Sequence, residues 1–260
     1  MFLRILALFA VAVMAVQPVR AQSRLAVIKA RGALACAAFE RPGLARETPS
    51  GWTGVLPDFC RAVAVAALGP NARFEFKFLE PPGDDTALDV GAFDVLFLTA
   101  TEIARNGLAG KVAPGPAAFF ESIAVMVEKD STAKKLDELA GASICLHEAD
   151  PAAELLDHFF ARKGKSFIAM PFQEDVEWRD AYNARHCRAA AAEGAELTDL
   201  RTHKGVNGFD SVILPEKLGV FAIMAATPPR DPQWSAAVAR ASAVFARDRD
   251  RKSPDRLDAR

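Results

Sequence analysis

Short apolar runs alternate with amphipathic segments through the first hundred residues that follow the N-terminal region. Runs over residues 33–39, 73–79 and 93–98 have the length and composition of β-strands, and residues 57–68 repeat apolar positions at helical spacing before Gly69-Pro70. A second helix is predicted between the last two strands. The order strand, helix, strand, helix, strand is typical of a parallel, doubly wound α/β sheet.

The second half of the chain repeats this alternation. Strands are predicted over residues 142–146, 167–170, 188–192 and 211–214, with helices over 151–162, 176–184 and 196–203. Two extended apolar runs, 119–128 and 219–226, flank this unit and indicate crossovers between two lobes. We therefore predict an α/β protein with lobe 1 formed by residues 22–120 and 222–260 and lobe 2 by residues 121–221.

The N-terminus has the pattern of an export signal. Arg4 precedes an apolar run over residues 5–16, Pro18 breaks the run, and Val19-Arg20-Ala21 is a small-x-small cleavage motif. The run is short for a membrane span. We predict cleavage after Ala21 and a periplasmic mature protein, with a retained membrane anchor as the alternative.

Composition and motifs exclude several classes of function. The chain has 260 residues, 51% of them hydrophobic, and a formal net charge of -1, so it has no basic excess for binding nucleic acid. G-x-S-x-G, P-loop and G-x-G-x-x-G motifs are absent. His147-Glu148 lacks a second histidine at helical spacing, and no C-x-x-C pair occurs, so no metal or other cofactor is expected.

Four cysteines suit an oxidising compartment. Cys36, Cys60, Cys145 and Cys187 allow three pairings, and their clustering in the two halves favours Cys36–Cys60 and Cys145–Cys187. Buried free thiols are the alternative.

An arginine follows the apolar strand at residues 93–98. The strand leads into a turn with Thr99 and Thr101 and then reaches Arg105. Ligands of open α/β sheets bind at the carboxyl ends of strands, and a guanidinium there can hold a carboxylate with two hydrogen bonds. Arg105 is therefore the predicted anchor of a small anionic or zwitterionic ligand.

Several segments resemble the type II periplasmic solute-binding proteins of family 3, in the general and polar amino-acid branch that serves ABC transporters. These segments are Ile28-Lys29-Ala30-Arg31-Gly32-Ala33-Leu34-Ala35-Cys36, Gly51-Trp52-Thr53-Gly54, Asp58-Phe59-Cys60-Arg61-Ala62-Val63, Gly91-Ala92-Phe93-Asp94-Val95-Leu96 and Gly141-Ala142-Ser143-Ile144-Cys145. The resemblance extends over nearly the whole mature chain. It implies two lobes, each a mixed and mostly parallel sheet flanked by helices, that close on a ligand.

The resemblance also implies a set of ligand contacts. Arg105 would hold an α-carboxylate with help from Thr99 or Thr101, and Glu193 would hold the α-ammonium group. Phe39 and Trp52 would flank the ligand.

The chain differs from the family at two places in this site. Thr101 lies four residues before Arg105, where the family has a spacing of three. The turn at residues 147–151 carries Glu148 and Asp150 where the family has hydroxyl-bearing residues, and these acids favour a cationic or amine-bearing ligand.

Three functions remain open from the sequence. The first is a monomeric solute-binding protein that delivers an amino acid or related small polar solute to an ABC permease. The second is a binding-protein-like accessory module of a periplasmic enzyme or sensor system. The third is a dehydratase-type enzyme with Glu193 or Glu121 as the acid.

Overall fold

A computed structural model describes residues 23–80, 90–148, 150–203 and 209–252. The predicted signal segment, its cleavage site after Ala21, most of the helix predicted between the strands at 73–79 and 93–98, and the last eight residues of the chain lie outside these ranges. In the described residues, no helix is both long and apolar enough to cross a membrane.

Helices and strands alternate as the apolar pattern predicts. The helices of the described residues are α1 (Arg24–Arg31), α2 (Val55–Leu68), α3 (Ala100–Arg105), α4 (Ala152–Ala161), α5 (Asp175–Asn183), α6 (Gly194–Thr202) and α7 (Pro232–Lys252), with a 3-10 turn at Leu136–Leu139. The strands are β1 (Ala33–Ala38), β2 (Arg46–Thr48), β3 (Gly51–Thr53), β4 (Arg73–Phe78), β5 (Val95–Leu98), β6 (Ala117–Glu128), β7 (Ser143–His147), β8 (Ile168–Phe172), β9 (Ala189–Glu193), β10 (Ser211–Ile213) and β11 (Val220–Ala226).

One sheet connects the two halves of the protein. Its strand order is β4-β1-β5-β11-β6-β9-β7-β8, with β10 paired to β6. The strands β1, β4 and β5 are parallel to one another, as are β7, β8 and β9. We refer to the part built on β1, β4 and β5 as lobe 1 and to the part built on β7, β8 and β9 as lobe 2.

The extended runs predicted as crossovers are the antiparallel strands β6 and β11. The first half of β6 pairs with β11 and its second half pairs with β9. The predicted lobe boundaries, between residues 120 and 121 and between 221 and 222, fall inside these two strands. A register shift between Ile223 and Met224 interrupts their pairing.

Strand residues are buried on both faces in lobe 2, as expected for parallel strands covered by helices. Along β6, Ile123 and Val125 pack into one core with α4, while Ala124 and Met126 pack into another with Trp178 of α5. Lobe 1 has its own core around Phe59, Phe97 and Trp234. Each lobe therefore buries apolar surface independently.

Each lobe contains one disulfide. Cys36 of β1 is bonded to Cys60 of α2, with 6.3 Å between their Cα atoms. Cys145 of β7 is bonded to Cys187 before β9, with 5.6 Å between their Cα atoms. The pairing favoured by the clustering of the cysteines is the one that the structure has.

Two elements differ from the sequence prediction. The segment predicted as a turn-rich connection contains the β2–β3 hairpin, in which Arg46 is opposite Thr53. The segment after β5, predicted as a turn, is the short helix α3. Both elements are too short to show a clear periodicity in the sequence.

Candidate functional site

Carboxyl ends of strands from both lobes meet at one place. Arg41 follows β1, Glu102 lies in α3 directly after β5, and Glu193 is the last residue of β9. This is the edge at which ligands of open α/β sheets bind. The first two residues belong to lobe 1 and the third to lobe 2, so the site lies between the lobes.

Arg41 connects two carboxylates across this site. Its Nη1 donates to Glu193 Oε1 at 2.6 Å and its Nη2 donates to Glu102 Oε1 at 2.5 Å. The side chain is only 6% exposed. Burial alone would lower the pKa of Arg41, but the charges and hydrogen bonds of Glu193 and Glu102 raise it above its usual value. Arg41 is therefore a buried cation paired with two acids.

The position of Glu102 is fixed by the start of α3. Thr99 is the N-cap of this helix, and its hydroxyl accepts a hydrogen bond from the Glu102 N–H at 3.1 Å. The Glu102 side chain accepts the Thr99 N–H through Oε2 at 2.7 Å, which completes a capping box. This leaves Oε1 of Glu102 free to bind Arg41. A local helix-capping motif thus orients one of the two acids of the site.

Glu121 is a further acid at this place and is almost completely buried, with 3% exposure. Its carboxylate accepts the N–H of Ser122 at 2.8 Å and the N–H of Ala195, in the first turn of α6, at 3.4 Å. Burial raises the pKa of the Glu121 carboxyl, and the nearby charge of Glu193 raises it further. The two N–H donors and Arg41 act in the opposite direction.

A second ionic contact joins the lobes nearer to the solvent. Arg46 of the β2–β3 hairpin pairs with Asp199 of α6, and Arg46 Nη1 lies 3.0 Å from Nε2 of His203. His203 Nδ1 lies 3.2 Å from Asp199 Oδ1. Residues 41–46 of lobe 1 therefore contact both the beginning and the middle of α6 in lobe 2.

The two lobes also approach closely through their backbones. A Cβ atom added at Gly43 would lie 2.3 Å from the carbonyl oxygen of Ala195, so only glycine fits at this contact. A cavity of about 730 Å³ opens beside it, and Gly43, Glu121, Gly194 and Thr198 are among its lining residues. Arg41 and Glu193 are not among its lining residues, but Gly43 lies two residues after Arg41 in the chain and Gly194 directly follows Glu193.

The structure brings two of the predicted site residues to this place. Glu193 binds Arg41, and Thr99 caps α3. Thr101 and Arg105 are exposed, on the first and last turns of α3. Arg105 lies three residues beyond Glu102, and its contact with a ligand stays a prediction.

The two predicted aromatic contacts pack within lobe 1. Trp52 of β3 lies 4.9 Å, between ring centroids, from each of Phe76 and Phe78 in β4. Phe39 is partly buried against a cluster that includes Leu96 and Leu98.

The acidic turn at residues 147–151 follows β7 in lobe 2. Glu148 is exposed, and its N–H donates to the carbonyl of Phe172 at 2.8 Å. Ala149 lies outside the described residues. Elsewhere in the described ranges, no group of three or more His, Cys, Asp and Glu side chains is arranged to hold a metal ion.

Sequence reasoning missed two residues of the site, Arg41 and Glu102, and for Arg41 a signal was available. This arginine lies in the polar segment after the first strand of the sheet, three residues beyond Ala38. The rule that directed attention to Arg105, a cation just past the carboxyl end of a parallel strand, applies equally to Arg41. Its position before Pro42-Gly43 made it resemble an ordinary turn residue.

The chain has the two-lobed fold of the type II periplasmic binding proteins. No family model matches the chain. Among solved structures, it superposes with a TM-score of 0.70 on an ABC transporter periplasmic binding protein from Brucella ovis with glutathione bound, at 24% identity and covering 92% of this chain and 78% of that one. An ancestral cationic amino acid solute-binding protein gives a TM-score of 0.66 at 17% identity, covering 87% and 95% of the two chains.

Curated relatives agree with the resemblance predicted from the sequence, which is confirmed. The general L-amino acid-binding periplasmic protein AapJ of Rhizobium johnstonii is 29% identical over 213 residues, 81% of this chain and 62% of that protein. The glutamate/glutamine/aspartate/asparagine-binding protein BztA of Rhodobacter capsulatus is 29% identical over 205 residues, 75% of this chain and 58% of that protein. The chain thus matches about three fifths of the length of these relatives.

Proposed function

We propose that this chain is a periplasmic solute-binding protein whose cleft binds an amino acid or related small polar solute for an ABC transporter. The observation that carries this proposal is the meeting of Arg41, Glu102 and Glu193 between the lobes, at the carboxyl ends of β1, β5 and β9. Charged groups from both lobes at this edge are suited to a polar solute, and solute contacts with both lobes would favour their closed arrangement.

Calorimetric titration and thermal unfolding with a panel of amino acids, amines and small organic acids test this proposal. A solute present at a hundred times its dissociation constant should stabilise the folded chain by roughly 2.7 kcal/mol. The variant Arg105→Ala tests the predicted carboxylate anchor. Its loss would lower the affinity for a solute that carries a carboxylate and would leave the affinity for an amine without one unchanged. Absence of binding across the whole panel would contradict the proposal.

The accessory-module function is the second candidate, and one observation favours it. Arg41 and Arg46 pair with Glu193 and Asp199 of the opposite lobe, so side chains of the protein itself connect the lobes. A protein of this kind would present one fixed surface to a partner. Its radius of gyration would stay the same when any of the amino acids, amines or organic acids is added. Small-angle X-ray scattering measures this, and compaction by any solute would favour transport.

We propose that the chain binds its solute without converting it. Glu121, a candidate acid from the sequence, has its carboxylate oxygens occupied by the N–H groups of Ser122 and Ala195. Glu193, the other candidate, is paired with Arg41. Turnover assays on prephenate-like acids should therefore show no product, and product formation that depends on either glutamate would contradict this part of the proposal.

A further inference from the structure

The charges at the interlobe site are unequal. Arg41 is paired with two carboxylates, those of Glu102 and Glu193, which gives the three groups together one excess negative charge. Glu121 lies near enough to Glu193 for their charges to interact, and it adds further negative character when it is ionised. A carboxylate that entered this place would meet acids from both lobes, whereas a cation would find opposite charges on two sides.

The carboxylates of Glu102 and Glu193 form a position for a planar or tetrahedral cation, which we call the seat. They accept from different Nη atoms of one guanidinium, so a positively charged group between them is held from lobe 1 and lobe 2 at once. The guanidinium of Arg41 therefore occupies a position that two carboxylates make favourable for a positive group.

Arg41 is an imperfect occupant of this seat. Its Nε is buried and has no hydrogen-bond partner, which costs free energy in a group withdrawn from water. Arg41 lies in a connection between β1 and β2, outside any helix or strand, and its side chain has several rotatable bonds. An external cation whose donors were all satisfied would avoid this cost.

The cavity of about 730 Å³ is lined by residues of both lobes and is large enough for the rest of such a solute. It is lined by Gly43 and Gly194, the near neighbours of Arg41 and Glu193, and by the hydroxyl-bearing residues Ser122 and Thr198. Lys217 and Arg249 also line the cavity, so the excess of negative charge is found at the seat and not throughout the lining.

We propose that the solute of this protein is an organic cation whose ammonium or guanidinium group binds between Glu102 and Glu193, and that Arg41 is an internal competitor for that position. The inference rests on the solute-binding function proposed above and specifies the charge of its solute. It assigns recognition to the positive group and not to an α-carboxylate.

The direction in which the loss of Arg41 changes the affinity for agmatine distinguishes a competitor from an anchor. Agmatine, which carries a guanidinium and an amine but no carboxylate, should bind the native chain and should bind Arg41→Ala at least about tenfold more tightly, equivalent to about 1.4 kcal/mol, because the competitor is gone. If Arg41 were instead an anchor for a carboxylate, the same variant would weaken the binding of L-glutamine or L-glutamate. Calorimetric titration of both proteins with agmatine, L-arginine, L-glutamine and L-glutamate measures the difference.

Further variants separate binding from folding. Arg41→Gln preserves a polar side chain and should also bind agmatine more tightly, so the test does not depend on the folding of Arg41→Ala. Glu193→Gln should lower the affinity for agmatine by at least about tenfold, because the substitution replaces the lobe 2 carboxylate with a neutral amide. Arg61→Ala removes an exposed arginine that pairs with Asp58 on α2, away from the cleft, and should bind like the native chain.

Three results would overturn the inference. Equal agmatine affinity in native and Arg41→Ala chains would show that Arg41 does not compete for the seat. Binding of L-glutamine or L-glutamate in preference to agmatine would show that the solute is not recognised as a cation, while the solute-binding function would stand. Failure of every compound to bind the native chain and both Arg41 variants would contradict the inference together with the proposed function.

Discussion

The surroundings of Glu121 disfavour the ionised form of its carboxyl group. It is buried beside Glu193, and burial followed by that neighbouring charge raises its pKa in the folded state. Between the unfolded and folded pKa values the folded chain holds more protons than the unfolded chain, so the free energy of unfolding falls as pH rises through this window. Glu121 thus contributes stability in acid that is lost towards neutral pH.

The substitution Glu121→Gln should remove this pH dependence, because an amide does not titrate. The loss of one N–H acceptor adds a constant cost, but the stability of the variant relative to the native chain should improve as pH rises from about 4 to about 7. Urea unfolding at several pH values measures the difference. Glu75→Gln, at an exposed position of β4, is the control for the chemical change. A Glu121→Gln difference that stays constant over this range would contradict the prediction.

At the level of residues, the sequence drew attention to two of the residues that lie at the interlobe site. Thr99 was noted because it follows a predicted strand, and Glu193 because the resemblance implies an acid at its position; their contact with a ligand stays a prediction. Arg41 and Glu102 were not found, since their importance comes from pairing over 61 positions of sequence, and Arg41 and Glu193 are 152 positions apart. Such distant pairs depend on how the lobes meet, which local patterns do not specify.

At the level of elements, the β2–β3 hairpin and the start of α2 are joined by a glycine with a specific steric role. Gly54 has φ of 119°, and a Cβ atom there would lie 2.3 Å from the carbonyl oxygen of Leu44. The same carbonyl accepts the N–H of Leu56 in α2 at 3.2 Å. Gly54 therefore permits the segment after Arg41 to pack against the beginning of the helix.

Gly54→Ala should destabilise the chain more than Gly51→Ala. Gly51 has a similar φ of 111° but no atom within 4 Å of an added Cβ, so alanine there costs backbone strain alone, about 1–3 kcal/mol. Alanine at position 54 adds a steric clash, and we expect a further cost of about 1–3 kcal/mol. Denaturant unfolding followed by tryptophan fluorescence gives both values. Equal losses would show that the Leu44 carbonyl moves away without cost.

The longer elements were predictable from the sequence and the shorter ones were not. The strands β1 and β4 and the helix α2 match the predicted ranges to within two residues, because apolar periodicity and the stop signal Gly69-Pro70 mark them clearly. The three-residue strands β2 and β3 are stabilised by each other and carry little apolar pattern. The helix α3 spans six residues and depends on its capping box.

At the level of the whole molecule, Gly43 and Ala195 form a close backbone contact between the lobes. Gly43→Ala should keep the lobes apart, because the new Cβ would overlap the carbonyl of Ala195 in lobe 2. Gly110→Ala is the matched control, since Gly110 has φ of 77° against 82° for Gly43 and no atom within 4 Å of an added Cβ. Both variants carry similar backbone strain, so a difference between them reports on the contact.

The expected result is a larger radius of gyration for Gly43→Ala in small-angle X-ray scattering and solute affinity lower by about tenfold or more. Gly110→Ala should keep the native radius and affinity. If the two variants gave the same radius of gyration, the contact between Gly43 and Ala195 would not limit closure.

The shared sheet makes the two lobes dependent on each other in unfolding. The strand β6 pairs with β11 over one half of its length and with β9 over the other, so no flexible linker separates the two cores. At both crossings between the lobes, the backbone is paired in a strand and is therefore a poor substrate for a protease. Thermal unfolding of one lobe would also remove the pairing partners of strands in the other. We therefore expect the protein to resist cleavage between its lobes and to unfold as a single cooperative unit.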